Sequence, residues 1–224
     1  ATGACVPISK ANGLLSTSGG SLMHVAWNDL GAMAAQELID DFSRIMSQWF
    51  IINGFSVGMR DIQLRKVTKL KVEEIKREYL RQSHVLIDGL NAGSYETARK
   101  TILKDAPRGL FETEYEQFES DIYYVLGRCR SEIEELTVKN ISLTEEGRPY
   151  DNRFMSMVNS GSKGNKVNLV QIVSMIGQQD MAGARVQDSY RRRPMPFLSK
   201  DDFSPAARGF ISNSYMAGLS FLEY

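Results

Sequence analysis

A Gly/Ser loop carrying one lysine, followed by an apolar segment and two glutamines, is the part of the chain best suited to chemistry. Asn159 to Gln179 reads NSGSKGNKVNLVQIVSMIGQQ. Glycine tolerates positive φ, and the start of a helix exposes backbone N–H groups without partners. With Lys163 added, the loop Ser160, Gly161, Lys163, Gly164 is suited to meet a phosphate. It is not a P-loop, because Gly164 is followed by Asn165 and then Lys166, which breaks the G-x-x-x-x-G-K-[ST] spacing. The same residues also suit a plain helix–loop–helix joint, with Gly161 closing one helix and Asn165 or Asn168 capping the next. The apolar run then reads as a helix over Val167 to Ile176, with Gln178 and Gln179 at its end.

Other chemistry is not supported. His24 lies in an apolar run and His84 in a helical stretch, and neither has a partner at metal-ligand spacing. There is no G-x-S-x-G elbow and no nucleophile–base pair. Asp201 and Asp202 are sequence neighbours in an extended stretch and point to opposite sides, so they are poorly placed to share a metal.

The elements that must hold the loop are mainly helical. Residues 1–31 are rich in Gly, Ser and Thr and read as loop with one or two short strands, Leu22 to Trp27 being the apolar run. Ala32 to Ile52 repeats Leu38, Phe42, Ile45, Trp49 and Ile52 at helical steps, and Asn53-Gly54 stops it. Leu64 to Leu90 is a second helix, with a narrow stripe of Val67, Leu70, Ile75, Tyr79, Leu86 and Leu90 and a basic surface. Gly93, Pro107 and Gly109 mark residues 91–110 as a connection. Leu110 to Asn140 is a third helix with an acidic surface and a seam of Phe111, Tyr115, Phe118, Ile122, Val125, Cys129, Ile133 and Leu136. Two helices of opposite charge joined by one connection predict an antiparallel hairpin with arms of about 40 Å. Narrow stripes predict that it projects from a larger body, although two arms of an ordinary bundle fit the pattern as well. Gly147-Arg148-Pro149 is a turn, Asn152 to Val158 a short helix, and residues 183–209 an irregular, locally basic loop. The predicted class is mainly α with minor β.

Lys+Arg and Asp+Glu are equal at 27 each, so binding to nucleic acid through bulk charge is not expected and any contact must be local. Cys5 and Cys129 are far apart and form no C-x-x-C pair, which suits a reducing compartment without a zinc site. Apolar runs fall well short of the roughly 18 residues of a membrane span, and the first residues do not read as a signal peptide. The chain opens on Ala1 rather than Met, as a processed or excised piece would.

The residues themselves resemble a known family. NSGSKGNKVNLVQIVSMIGQQ and the later SKDDFSPAARGFISNSYMAGL, Ser199 to Leu219, resemble successive blocks of the largest subunit of multisubunit DNA-directed RNA polymerases. GGSLMHVAWNDLG, Gly19 to Gly31, and NGFSVGMRD, Asn53 to Asp61, match an earlier block in the same order. The form is closer to the eukaryotic, archaeal and large-DNA-virus enzymes than to the bacterial one. The resemblance implies that residues 1–60 end a pore domain, residues 61–150 form the funnel hairpin, and residues 151–224 form a pore loop and lead towards the bridge helix. It implies that Lys163 faces nucleotide phosphates and that Gln178 and Gln179 lie near the bridge helix, in the region that binds amanitin in sensitive enzymes. Met195-Pro196-Phe197-Leu198 departs from the usual LPHF-type run, which puts toxin sensitivity in question. The Mg-holding motif NADFDGD, the bridge helix and the trigger loop are missing from this stretch, so no cofactor is expected on this chain and the magnesium of the whole enzyme is held elsewhere. Implied partners are the rest of the largest subunit, the second-largest subunit, the small subunits, nucleoside triphosphates, a transcript-cleavage factor, and DNA and RNA through the assembled enzyme. The implied location is intracellular: the nucleus for a eukaryote, the cytoplasm or virion for a large DNA virus. A non-catalytic helical interaction module is the competing expectation, and an independent nucleic-acid binder is disfavoured by the balanced charge.

Overall fold

The computed structural model describes residues 21–103 and 113–224. The helices are α1 (Leu22–Val25), α2 (Ala32–Asn53), α3 (Lys66–Asn91), α4 (Tyr95–Ile102), α5 (Glu114–Asn140), α6 (Arg153–Ser160) and α7 (Lys166–Val173). Four two-residue strands follow: β1 (Gly177–Gln178), β2 (Asp180–Met181), β3 (Ala184–Arg185) and β4 (Phe210–Ile211). β1 pairs antiparallel with β4, and β2 with β3. The described residues are therefore mainly α with minor β, as predicted. Cys5, Pro107, Gly109 and Phe111 lie outside them.

The chain divides into two compact units, Ala1–Asp61 with Asp151–Asn165, and Ile62–Tyr150 with Lys166–Tyr224. In the first, the run Leu22 to Trp27 is helical (α1 leading into a π-helical turn, Ala26–Leu30) rather than a strand. A short apolar run without alternation suits helix as well as strand, and Gly31 at φ 90° separates this turn from α2. α2 has the predicted length and stops at Gly54. Its apolar stripe is largely uncovered: Ile45 is 63% and Ile52 82% exposed. α6 starts at Asn152, whose side-chain oxygen accepts from Met155 N at 2.9 Å while its amide donates to Asp61 O at 2.9 Å.

In the second unit α3 and α5 pack along their length, and α5 also contacts α7, β1 and β3. Burial on α5 is consequently wider than a one-sided seam. Phe118, Ile122, Val125, Leu126, Cys129 and Ile133 are all 1% exposed or less. The face of α3 differs from its predicted stripe. Leu86 is buried as predicted, but Val67 and Leu70 are exposed, while Thr68, Val72, Lys76 and Ser83 are buried. The swap works because the buried polar groups are satisfied. Lys76 Nζ donates to Glu73 at 2.8 Å and to Ser174 O at 3.1 Å, and the Ser174 and Thr137 hydroxyls share a hydrogen bond of 2.7 Å. Cys129, beside this cluster, is a free thiol that burial pushes up to about 12, against the nearby charge of Lys76, so it is chemically inert. The stretch read as a connection contains α4, whose Tyr95 and Arg99 are buried.

The end of the chain is fixed by a carboxylate cradle. Glu223 accepts from Ser212 N, Asn213 N, Asn213 Nδ2 and Ser220 N at 3.1, 3.1, 2.7 and 3.0 Å. Burial alone would raise its pKa, but hydrogen bonds from Ser220 and Asn213 prevail and hold it at about 2. The folded value lies below the unfolded one, so the contribution to stability is present above about pH 4.5 and is lost as pH falls through about 2. Urea unfolding between pH 6 and pH 2.5 should show Glu223→Gln with a shallower loss of stability than the unaltered chain. Parallel curves for the two would refute the cradle's role.

Candidate functional site

α6 ends in the candidate loop. Gly161 closes the helix at φ 75°, and Gly164 follows at φ 76°, both in the left-handed region where a side chain costs strain. At the end of α6, Ser160 Oγ donates to Met157 O at 3.0 Å and to Ser162 Oγ at 3.1 Å, and Ser162 Oγ donates to Met157 O at 3.2 Å. The two hydroxyls thus tie the loop back onto the last turn of α6. Ser160, Gly161, Lys163 and Gly164 are all exposed. Lys163 makes no hydrogen bond or ion pair among the described residues, so its ammonium stands free on a loop whose backbone is held. α7 begins immediately after Asn165.

The two glutamines have separate fates. They belong to the other compact unit, and they do not end a helix: α7 stops at Val173, Gln178 lies in β1, and Gln179 follows it. The glycine at 177 and the pairing of β1 with β4 turn the chain to strand there. Gln178 is buried, and its amide donates to Gln179 O at 2.8 Å and Arg208 O at 2.7 Å. It is a brace. Its side-chain oxygen is buried without a partner among the described residues. Gln179 is exposed and borders a cleft of about 480 Å³ lined also by Pro194, Met195, Tyr215 and Leu219.

The basic loop is only partly surface. Arg185, with no side-chain exposure, grips Glu119 with two hydrogen bonds of 2.9 Å. Arg208, also buried, donates to Asp202 O at 3.0 Å, pairs with Asp188 at 2.9 Å, and lies 5.3 Å from the Phe203 ring centre. Composition could not separate these two arginines from Arg191 to Arg193. The strand position of Arg185 is the only local signal. A second cluster also escaped the sequence: Asp121, on the inner side of α5, binds Tyr95 and Arg99 of α4. An aspartate directly before Ile122 in a buried seam was the available clue.

No three His, Cys, Asp or Glu side chains gather among the described residues in a way that fits a metal ion. No described helix is long and apolar enough to cross a membrane.

One unit is built on two long helices of opposite charge, α3 and α5, and the other carries the exposed Gly161-Lys163-Gly164 loop. Residues 97–211 match the family profile for RNA polymerase Rpb1, domain 4, and residues 8–62 match that for RNA polymerase Rpb1, domain 3. The chain belongs to the Rpb1 family of RNA polymerase largest subunits. It is similar to the DNA-directed RNA polymerase II subunits RPB1-A and RPB1-B of Trypanosoma brucei brucei, each 29% identical over 220 residues. That alignment covers 98% of this chain and 11% of either relative, so the chain spans about a tenth of the length of these proteins.

Proposed function

We propose that this chain is the part of an RNA polymerase largest subunit that shapes the passage by which nucleotides reach the catalytic centre, with α3 and α5 as its funnel hairpin. Lys163 carries the reading: an exposed ammonium without a partner among the described residues, held between two left-handed glycines. A point charge on a flexible stem suits a mobile triphosphate, and it raises local nucleotide concentration and orients phosphates. Nucleotidyl transfer belongs to the assembled enzyme; the stretch in hand does not carry the aspartates that hold magnesium, and by itself it is inactive. The uncovered apolar stripe of α2 supports burial against the rest of the largest subunit, the second-largest subunit or the small subunits. A transcript-cleavage factor is the expected visitor at the hairpin, and DNA and RNA are met through the assembled enzyme. In a eukaryote the site of action is the nucleus, and for a large DNA virus it is the cytoplasm or virion.

Lys163→Ala in the assembled polymerase should raise the apparent nucleotide KM roughly threefold to tenfold, more at low ionic strength than at high. An unchanged KM together with an unchanged elongation rate would remove Lys163 from this role. The same exposed α2 stripe also suits a non-catalytic docking module. Co-purification of the native chain with the second-largest subunit separates the two, since only the polymerase reading requires it.

A further inference from the structure

The loop Tyr190 to Arg193 holds backbone strain in an unusual place. Arg191 and Arg192 both lie in the left-handed region, at φ 41° and 66°, where non-glycine residues are strained and where strain collects at functional sites. The conformation is imposed by the backbone. Ser189 N and Tyr190 N both donate to Arg193 O at 2.9 Å, and Asp201 N donates to Arg192 O at 3.0 Å. These bonds bring Lys200, the neighbour of Asp201, alongside the arginine tip. Arg192 is neutralised by an ion pair with Asp201, and Arg193 donates to Pro196 O at 3.2 Å. Arg191 and Lys200 are exposed and have no partner among the described residues, and the Tyr190 side chain is exposed beside them. The nearby acids are engaged: Asp188 pairs with Arg208, and Asp202 accepts from Ser204 N at 3.0 Å. What remains is an exposed arginine next in sequence to an exposed tyrosine, and a second exposed cation, Lys200, beside the residue whose N–H holds Arg192 O, on a loop fixed by three backbone hydrogen bonds.

The geometry points to a contact for single-stranded nucleic acid, with Arg191 and Lys200 on consecutive phosphates and the Tyr190 ring stacking on an unpaired base. Phosphate contacts position a strand without reading its sequence, and base–aromatic stacking adds affinity for any base. The balanced charge of the chain is no obstacle, because the contact is local. It is independent of Lys163 and of nucleotide triphosphate binding.

The test uses the whole chain with fluorescein-labelled dodecamers of uridylate and of thymidylate, followed by anisotropy from 50 to 200 mM salt. The chain should bind with a Kd below about 100 μM at 50 mM salt. Arg191→Ser with Lys200→Ser should weaken binding about tenfold and reduce the salt slope by about 1.4, two phosphates at about 0.7 each. Tyr190→Leu should weaken binding about fivefold and leave the salt slope unchanged. Arg191→Gly relieves the strain and removes the charge, so it should keep or raise Tm while still weakening binding about threefold. Equal affinity for the two oligonucleotides makes phosphate and base the whole ligand, and a preference for one identifies the strand; either supports the contact. Absence of binding at 50 mM salt overturns it. So does an unaltered Kd in the Arg191/Lys200 variant, or an equal loss from Lys69→Ser with Lys71→Ser on the basic face of α3.

Discussion

Asp121→Ala should cost the chain about 3–5 kcal/mol, because it strands a buried guanidinium. Asp121 is 2% exposed and Arg99 5%. The carboxylate accepts from the Tyr95 hydroxyl, from Arg99 Nε, and from Gln117 Nε2 at 2.9 Å. Burial opposes the charge on Arg99, yet its pKa is raised by the hydrogen bond and the negative charge of Asp121. Burial and the Asp121 hydrogen bond likewise push the Tyr95 hydroxyl upward, so it remains a donor at every working pH. With the carboxylate gone, an arginine and a tyrosine hydroxyl both lose their buried acceptor, and α4 loses its anchor to α5. Urea denaturation followed by circular dichroism measures the cost. Asp121→Leu combined with Arg99→Met should lie closer to the unaltered chain than Asp121→Ala alone, since removing both charges leaves neither unpaired. A loss below about 1 kcal/mol for Asp121→Ala would show that the network is not what fixes α4.

Phe118→Ala is the second large effect, at about 3–5 kcal/mol. Phe118 has no exposure, and its ring meets Tyr95 and Phe203 edge-on, each at 5.8 Å between ring centres. Each such pair adds about 0.5–1.5 kcal/mol beyond burial. Truncation thus leaves a cavity between α5, α4 and the segment around Phe203. Phe118→Leu should cost less than half as much. The matched control is Leu70→Ala, at a residue 71% exposed, which should change stability by no more than about 0.5 kcal/mol. A comparable loss at Leu70 and Phe118 would mean that the sequence stripe, and not the packed face, describes α3. Because Tyr95 touches both Phe118 and Asp121, the two substitutions share a neighbour and should not add.

The contrast between Phe118 and Leu70 shows what could be read from the residues. Long helices were legible, because apolar spacing and the stops at Asn53-Gly54 and Gly161 are local signals. The faces were less so. α5 is surrounded on several sides, so it buries Leu126 as well as the seam from Phe118 to Ile133, while the predicted seam residue Tyr115 stays exposed. α3 buries Thr68, Lys76 and Ser83 because their partners lie far along the chain, on residues such as Ser174, where no window of sequence sees them. α4 was hidden by its brevity and by a flanking glycine. At the candidate site, the exposed Gly161-Lys163-Gly164 loop was readable from composition, since nothing distant determines it. The glutamines were not: one braces Arg208 O and the other is exposed, a division set by a strand pair between residues some thirty positions apart. The arginines divided in the same way, Arg185 and Arg208 drawn inside by Glu119 and Asp188, Arg191 left outside.

The hydrogen bonds between Asp61 and the start of α6 have a consequence for synthesis. Asn152 Nδ2 reaches Asp61 O across 91 residues, and Arg153 N reaches the Asp61 carboxylate across 92. At about 5–20 residues per second, the ribosome delivers Asn152 roughly 5–18 s after Asp61. Through that interval α2 is already made, with its tryptophan, phenylalanine and isoleucines exposed, while the segment that completes its unit does not yet exist. The nascent chain therefore carries a sticky helix through that interval, and because the stripe stays uncovered once α6 is in place, whatever covers it must come from outside the unit.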